Sequence, residues 1–129
     1  MKKLIFSLLM FLSFNSHAEW TQVEENADGS SSYVDFSSIR KTGNSSRIWV
    51  LFDFKVPEGD SINEKYLSAK SLGEYDCKAE KYRVLTYTTF KGNMGSGSIV
   101  NGSEPDQRWQ YVSPQSKAEY FYKLACKKK

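Results

Sequence analysis

Two cysteines, Cys77 and Cys126, constrain this chain of 129 residues more than any other feature, because it has no other thiol. If they join, the bond closes a loop of about 50 residues, which the chain-entropy model values at ~4 kcal/mol. That energy is comparable with the whole net stability of many small domains. We expect the bond in an oxidising compartment; the alternative is that both thiols stay free and buried. The first residues of the chain indicate which of these two states applies.

The first residues have the three parts of a secretion signal in the right order. Lys2-Lys3 supply the positive region, Leu4–Phe14 supply an apolar stretch, and Ser16-His17-Ala18 is a small-x-small cleavage site. The apolar stretch is about eleven residues long, whereas a membrane-spanning helix needs ~20. We therefore predict a signal peptide over residues 1–18, cleavage between Ala18 and Glu19, and one domain over residues 19–129.

The predicted signal peptide also indicates the compartment in which the protein acts. An exported protein is periplasmic or secreted, with surface association as a further option. No cysteine follows the cleavage site closely, so we do not expect a lipoprotein, and the short apolar stretch argues against stable membrane insertion. In this compartment Cys77 and Cys126 are expected to be disulfide-bonded.

Charge and composition exclude several kinds of function. Lys2 and Lys3 leave with the signal, so the 18 basic residues fall to 16 against 15 acidic ones, and three of those 16 are the terminal lysines. The basic excess is therefore not a patch that would bind nucleic acid. His17, the single histidine, is removed as well, and the paired cysteines supply no nucleophile. We predict a protein that is not an enzyme and that uses no cofactor or metal.

Alternating residues and turn signals predict a series of strands. The clearest is Arg47–Lys55, in which Ile48, Val50, Phe52 and Phe54 form a face that can pack on a core, while Trp49 and Leu51 lie on the other face. Further strands are expected at Trp20–Val23, Ser31–Asp35, Lys65–Asp76, Lys81–Phe90 and Gln107–Val112, with a break at Pro57. In Lys81–Phe90, strict alternation puts Tyr82, Val84, Thr86, Thr88 and Phe90 on one face.

The end of the chain changes to helical periodicity. Ser113 followed by Pro114 is a helix start signal, and Ala118, Phe121, Tyr122 and Ala125 then recur on one side. Cys126 lies at the last turn of this helix, and Cys77 lies at a strand end. The predicted fold is α+β: one antiparallel sheet of about six strands, with a C-terminal helix packed on it and tethered by the disulfide.

Two other patterns favour plain structural roles. The glycine-rich stretch around Gly95 lacks the lysine of a phosphate-binding loop, so residues 91–106 are predicted to be an irregular connection. The acidic residues Asp53, Glu58, Asp60 and Glu64 have no calcium-loop spacing and are expected to be a solvated surface.

The aromatic residues are in excess, and those on the second face of the sheet are candidates for an interface. We predict a binding surface made by that face and the glycine-rich loop. Its candidate residues are Trp49, Leu51, Met94, Ser96, Ser98 and Asn101.

Residues spread along the whole domain resemble those of the surface-adhesin protein E family. They are Trp20, Tyr33-Val34-Asp35, Trp49-x-Leu51, Tyr75-Asp76-Cys77, Lys81-Tyr82-Arg83, Tyr87, the Gly95 and Gly97 loop, Trp109, Pro114-x-Ser116 and Cys126. The resemblance implies a six-stranded antiparallel sheet with a disulfide-tethered C-terminal helix. It also implies adhesion to host matrix proteins such as laminin or vitronectin.

Two binding functions and one catalytic function stay open at this point. The first is a non-enzymatic protein-binding module like a bacterial surface adhesin, with a host extracellular matrix protein as partner. The second is a periplasmic accessory or envelope protein with a bacterial partner and no adhesive role, and the third is a small hydrolase. In each case we expect a monomer or a weak homodimer.

Overall fold

A computed structural model describes residues 18–127, so the signal peptide predicted over residues 1–18 lies outside the described residues except for Ala18. The described chain forms seven strands and one α-helix. They are β1 (Thr21–Glu25), β2 (Ser31–Thr42), β3 (Ser45–Glu58), β4 (Tyr66–Asp76), β5 (Lys81–Phe90), β6 (Ile99–Ser103), β7 (Gln110–Tyr111) and α1 (Lys117–Ala125). Short 3₁₀ turns occupy Ile62–Glu64 and Asn93–Gly95.

The sheet is an antiparallel meander in which each strand pairs with the next, in the order β1 to β6. β7 shares the last position with β6, because both pair with β5: β6 pairs with Tyr87–Phe90, and β7 pairs with Lys81 and Tyr82. The predicted α+β class and the single antiparallel sheet are confirmed, with seven strands rather than six.

The core lies between one face of the sheet and α1. On β3, Ile48 is fully buried and Val50 is 4% exposed, and both pack with Phe121 of the helix. Phe52 meets the Phe121 ring edge-on at 6.0 Å between centroids. The predicted inward face of this strand is therefore confirmed. We call the opposite side of the sheet, which carries Trp49, the distal face.

The disulfide joins Cys77 to Cys126, with Cα atoms 5.6 Å apart. Cys77 directly follows β4, and Cys126 is the C-cap of α1, as predicted. Ser46 adds a buried hydrogen bond by donating from its hydroxyl to the carbonyl of Ala125 at 2.7 Å. Helix and sheet are thus tied at one end by a covalent bond and by polar contacts.

The helix begins later than the sequence predicts. Ser116, not Ser113, is the N-cap, because its hydroxyl accepts from the backbone N–H of Glu119 at 3.1 Å. Gln115 has φ of 60°, a left-handed conformation that no continuous helix starting at Pro114 could contain.

Several strand predictions also need correction. β2 runs to Thr42 instead of ending at Asp35, and β3 continues through Pro57 to Glu58, where its register with β4 is irregular. β6 lies inside the stretch 91–106 that was predicted to be irregular. A register shift at Leu72/Gly73 interrupts the alternation of β5, so Val84 lies opposite Gly73, and Thr86 lies opposite Leu72 on the distal face.

Candidate functional site

A wide bulge in β2 shapes the distal face. Asp35 pairs with Trp49 and Arg40 pairs with Arg47, so four residues of β2 stand opposite one residue, Ile48, of β3. Bulges of this kind re-aim side chains and are common beside binding sites. The bulge here consists of residues 36–39.

Side chains hold the bulge in place. Asp35 is 7% exposed, and its Oδ1 accepts a hydrogen bond from the backbone N–H of Ser37 at 3.0 Å and another from the Ser37 hydroxyl. The Ser38 hydroxyl donates to the Asp35 carbonyl at 2.6 Å and accepts from the backbone N–H of Trp49 at 3.2 Å. The backbone N–H of Trp49, which lies beside the bulge, therefore has a side-chain oxygen as its acceptor.

Beside the bulge is a cavity of about 420 Å³, which we call the bulge cavity. In the full chain Ala18, the last residue of the predicted signal peptide, is at its border, and the lining that the mature protein keeps consists of Trp20, Asp35, Ser37, Ser38, Arg40, Trp49 and Lys70. Both tryptophans are half-buried, so each indole keeps part of its surface accessible. Its volume falls in the range of small-molecule sites, which lies between about 300 and 1,000 Å³.

Two cations border the bulge cavity. The Lys70 ammonium lies 5.9 Å from the centroid of the Trp20 ring and 5.2 Å from that of Phe90, both within cation–π range. Arg40 is exposed, and its NH1 group donates to the carbonyls of Ser37 at 2.9 Å and Ile39 at 3.1 Å. Within residues 18–127, the Nε and NH2 groups of Arg40 have no hydrogen-bond acceptor.

Arg40 also borders a second cavity of about 440 Å³, whose far wall is an ion-pair network. Glu74 is 5% exposed; its Oε2 accepts from Nε of Arg47 at 2.6 Å, and its Oε1 accepts from NH2 of Arg83 at 2.7 Å. The Arg83 guanidinium lies 4.4 Å from the Trp109 ring centroid. Burial raises the pKa of Glu74, but the hydrogen bonds from Arg47 and Arg83 outweigh it and leave the pKa below its usual value. Glu74 is therefore a charged structural group.

The structure divides the predicted binding surface. Trp49 lines the bulge cavity, but Leu51 is fully buried and cannot be part of any surface. Asn101 pairs with Thr89 of β5, Thr89 pairs with Ala69 of β4, and Ala69 pairs with Phe52 of β3. Residues that pair across neighbouring strands lie on the same face of the sheet, so Asn101 lies on the helix side, like Phe52, rather than on the distal face. These two candidate residues are corrected: Leu51 is removed, and Asn101 is separated from Trp49.

The glycine-rich loop, which carries Met94, Ser96 and Ser98, folds back over the distal face. The Met94 backbone N–H donates to Asp53 at 2.8 Å, and that of Gly95 donates to the Ser68 hydroxyl at 2.8 Å. A Cβ at Gly95 would lie 2.6 Å from Cε of Lys70, which is the register partner of Leu51. Loop and lysine together cover this end of the face, which accounts for the burial of Leu51. Met94 remains 39% exposed.

Sequence patterns missed Trp20, Arg40 and Lys70 as site residues. Their proximity to Trp49 depends on the strand register and on the bulge, which periodicity does not reveal. One local signal was present, since Asp followed two residues later by Ser is typical of a side-chain-capped turn, as Asp35 and Ser37 form here.

No helix within residues 18–127 has the length and apolarity needed to cross a membrane. In the same part of the chain, no group of three or more acidic, cysteine or histidine residues is arranged to hold a metal ion.

Comparisons with solved structures show the same fold in protein E of Haemophilus influenzae. One crystal form of that protein superposes with a TM-score of 0.60 at 11% identity, covering 85% of this chain and 88% of the other. A structure of protein E from a non-typeable strain gives 0.59 at 10% identity, covering 88% and 78%. A search of curated protein sequences found no significant match.

A family model described as surface-adhesin protein E matches residues 20–127, which is nearly all of the described chain. The match spans every strand, the helix, both cysteines and the bulge. On this ground the chain belongs to the surface-adhesin protein E family.

Proposed function

We propose that this protein is an exported, non-enzymatic protein-binding module of the adhesin type, which binds through the distal face of its sheet. The observation that supports it is the accessible group of Trp20, Trp49, Arg40 and Lys70 around the bulge cavity. Aromatic residues and arginine are the side chains most enriched at the energetic centres of protein interfaces. Family membership supports the same class of function.

The described residues give little support for catalysis. Residues 18–127 contain no histidine, and both cysteines are disulfide-bonded. The acidic groups at the two cavities, Asp35 and Glu74, are held by hydrogen bonds within the protein. A non-enzymatic role therefore agrees best with the side chains that are present.

The finer proposal names the partners. The family resemblance makes host extracellular matrix proteins, with laminin and vitronectin first, the ligands to test. The cationic rim of the bulge cavity would favour an acidic region of such a partner, because charge complementarity raises the association rate and fixes orientation.

The experiment measures capture of the mature protein, residues 19–129, on immobilised laminin and vitronectin at physiological salt. Arg40→Glu reverses an exposed charge at the cavity, and we expect it to weaken capture by about tenfold. Arg108→Glu is the matched control, because Arg108 has a side chain that is 86% exposed and lies outside both cavities. Failure of the unmodified protein to bind either ligand would overturn the matrix proposal.

A second measurement tests whether the protein is at the cell surface. Intact cells are treated with protease, and the amount of full-length mature protein is followed. Degradation is expected for a surface adhesin. Protection in intact cells, followed by degradation after the envelope is opened, would instead support a periplasmic role with a bacterial partner.

A further inference from the structure

We propose that the bulge cavity binds a carboxylated sugar, meaning a uronic or sialic acid at the end of a glycan. The inference goes beyond the proposed protein-binding function and does not depend on it. It follows from the size of the cavity, its indole walls, the unused donors of Arg40 and the charge around the cavity.

Size and wall chemistry indicate a ligand of one or two rings. The cavity measures about 420 Å³, and two half-buried indoles, Trp20 and Trp49, belong to its lining. Indole rings present flat apolar surfaces with a polar N–H at one edge, so they can accept the C–H face of a sugar ring while its hydroxyls meet polar groups. Asp35 and Ser37 supply such polar groups at the same cavity.

Arg40 indicates that the ligand carries a carboxylate. Its NH1 group is fixed by the carbonyls of Ser37 and Ile39, and within residues 18–127 its Nε and NH2 groups have no acceptor. These two donors point in parallel along one edge of a guanidinium, the arrangement that binds a carboxylate through two hydrogen bonds. Anchoring NH1 to the backbone also restricts the guanidinium plane, so less freedom is lost when the ligand binds.

The charge around the cavity agrees with an anionic ligand. Lys70 adds a second cation, and the rings of Trp20 and Phe90 beside it remove part of its water. The one acidic group, Asp35, is 7% exposed and already accepts two hydrogen bonds from Ser37. Two cations therefore face one largely enclosed carboxylate.

The test is an NMR titration of the ¹⁵N-labelled mature protein, whose three tryptophans give three indole N–H signals. The probes are methyl glucuronide, N-acetylneuraminic acid and, as the neutral control, methyl glucoside. We expect at least one acidic sugar to shift the Trp20 and Trp49 signals at concentrations up to about 20 mM, the range of weak single-site binding. Trp109 is not part of the cavity lining, so its signal is the internal reference. The acidic sugar that shifts these signals shows whether the cavity binds a uronic acid or a sialic acid.

Paired variants test the role of Arg40. Arg40→Gln should weaken binding of the acidic sugar by about tenfold or more, because two charge-assisted hydrogen bonds are lost. Arg108→Gln removes the same charge elsewhere and should leave binding unchanged. Folding of each variant is checked by its amide spectrum, and Lys70→Gln provides a second variant, expected to weaken binding, if Arg40→Gln is perturbed.

Three results would overturn the inference: no shift with either acid, equal shifts with the neutral sugar, or unchanged binding in a folded Arg40→Gln or Lys70→Gln protein. Capture on laminin or vitronectin is measured separately. Loss of capture with intact sugar binding would remove the matrix proposal alone, and the reverse result would remove the sugar site alone.

Discussion

The Tyr122 hydroxyl donates a hydrogen bond of 3.0 Å to the carbonyl of Cys77, the residue whose sulfur is bonded to Cys126 one turn further along the helix. The same pair of segments is thus joined by a covalent bond and by a hydrogen bond. Tyr120 extends the attachment to the edge strand β1, since its hydroxyl donates to the carbonyl of Val23 at 2.8 Å.

Removing the disulfide should loosen the helix before the sheet. We expect the Cys77→Ser/Cys126→Ser double variant to lose about 2–4 kcal/mol in free energy of unfolding, measured by urea denaturation. Limited proteolysis should cut residues 113–127 first, because these have lost their covalent attachment. Equal protease resistance of this segment with and without the bond would contradict the prediction.

Ser116 should matter to the helix, and Ser113 should not. Ser116→Ala removes the hydroxyl that caps the Glu119 N–H, and we expect it to cost about 1 kcal/mol. Ser113→Ala is the matched control; its carbonyl, which accepts from Ser116, is unchanged, so the cost should stay within about 0.5 kcal/mol. Thermal denaturation compares the two, and equal effects would argue against the observed start of the helix.

Glu74 should make the protein sensitive to acid. Its pKa is lowered in the folded state from an ordinary value of 4.5, so its stabilising effect is present above that value and is lost as the pH falls through the folded pKa. Glu74→Gln should destabilise the protein by about 1–3 kcal/mol at pH 7, since two arginines lose their counter-charge. Urea denaturation between pH 7 and pH 3 should show a weaker pH dependence in the variant. An unchanged pH dependence would contradict this role.

Alkaline pH should destabilise the protein through its buried tyrosines. Burial raises the pKa of Tyr75, with a contribution from Tyr82, and burial with the nearby Tyr66 and Glu58 raises that of Tyr87 to about 12. These hydroxyls ionise more readily in the unfolded chain, so stability should be lost as the pH rises from 10 through the folded pKa values. Tyr75→Phe should reduce this loss, whereas Tyr111→Phe, at a residue that is 74% exposed, should not. Unfolding followed by circular dichroism across this range tests both.

The sequence predicts the sheet, the helix and the disulfide because each has a local or compositional signal. Alternation identified the inward face of β3, and the two cysteines had one possible intramolecular pairing. Contacts between side chains that are brought together by irregular backbone geometry were not predicted. The bulge after Asp35 and the register shift near Gly73 each change which side chains meet, and neither has a periodicity of its own.

The start of the helix was misplaced for a related reason. Ser113-Pro114 and Ser116 both have the chemistry of a helix start, and the choice between them is made by Gln115, whose left-handed backbone separates the two. At the candidate site, Trp49 could be predicted because alternation along β3 places it on the face opposite the core. The partners Trp20, Arg40 and Lys70 could not, because they come from three different parts of the sequence.

The bulge belongs both to the packed interior and to the surface. Ile39 packs against the core cluster that contains Ile48 and Val50, whereas Phe36 and Ser37 are exposed. Substitutions at the exposed positions of the bulge should therefore cost the packed interior little, and a large-to-small substitution of Ile39 should cost more. One scaffold of this kind can thus present different surface chemistry above the same core.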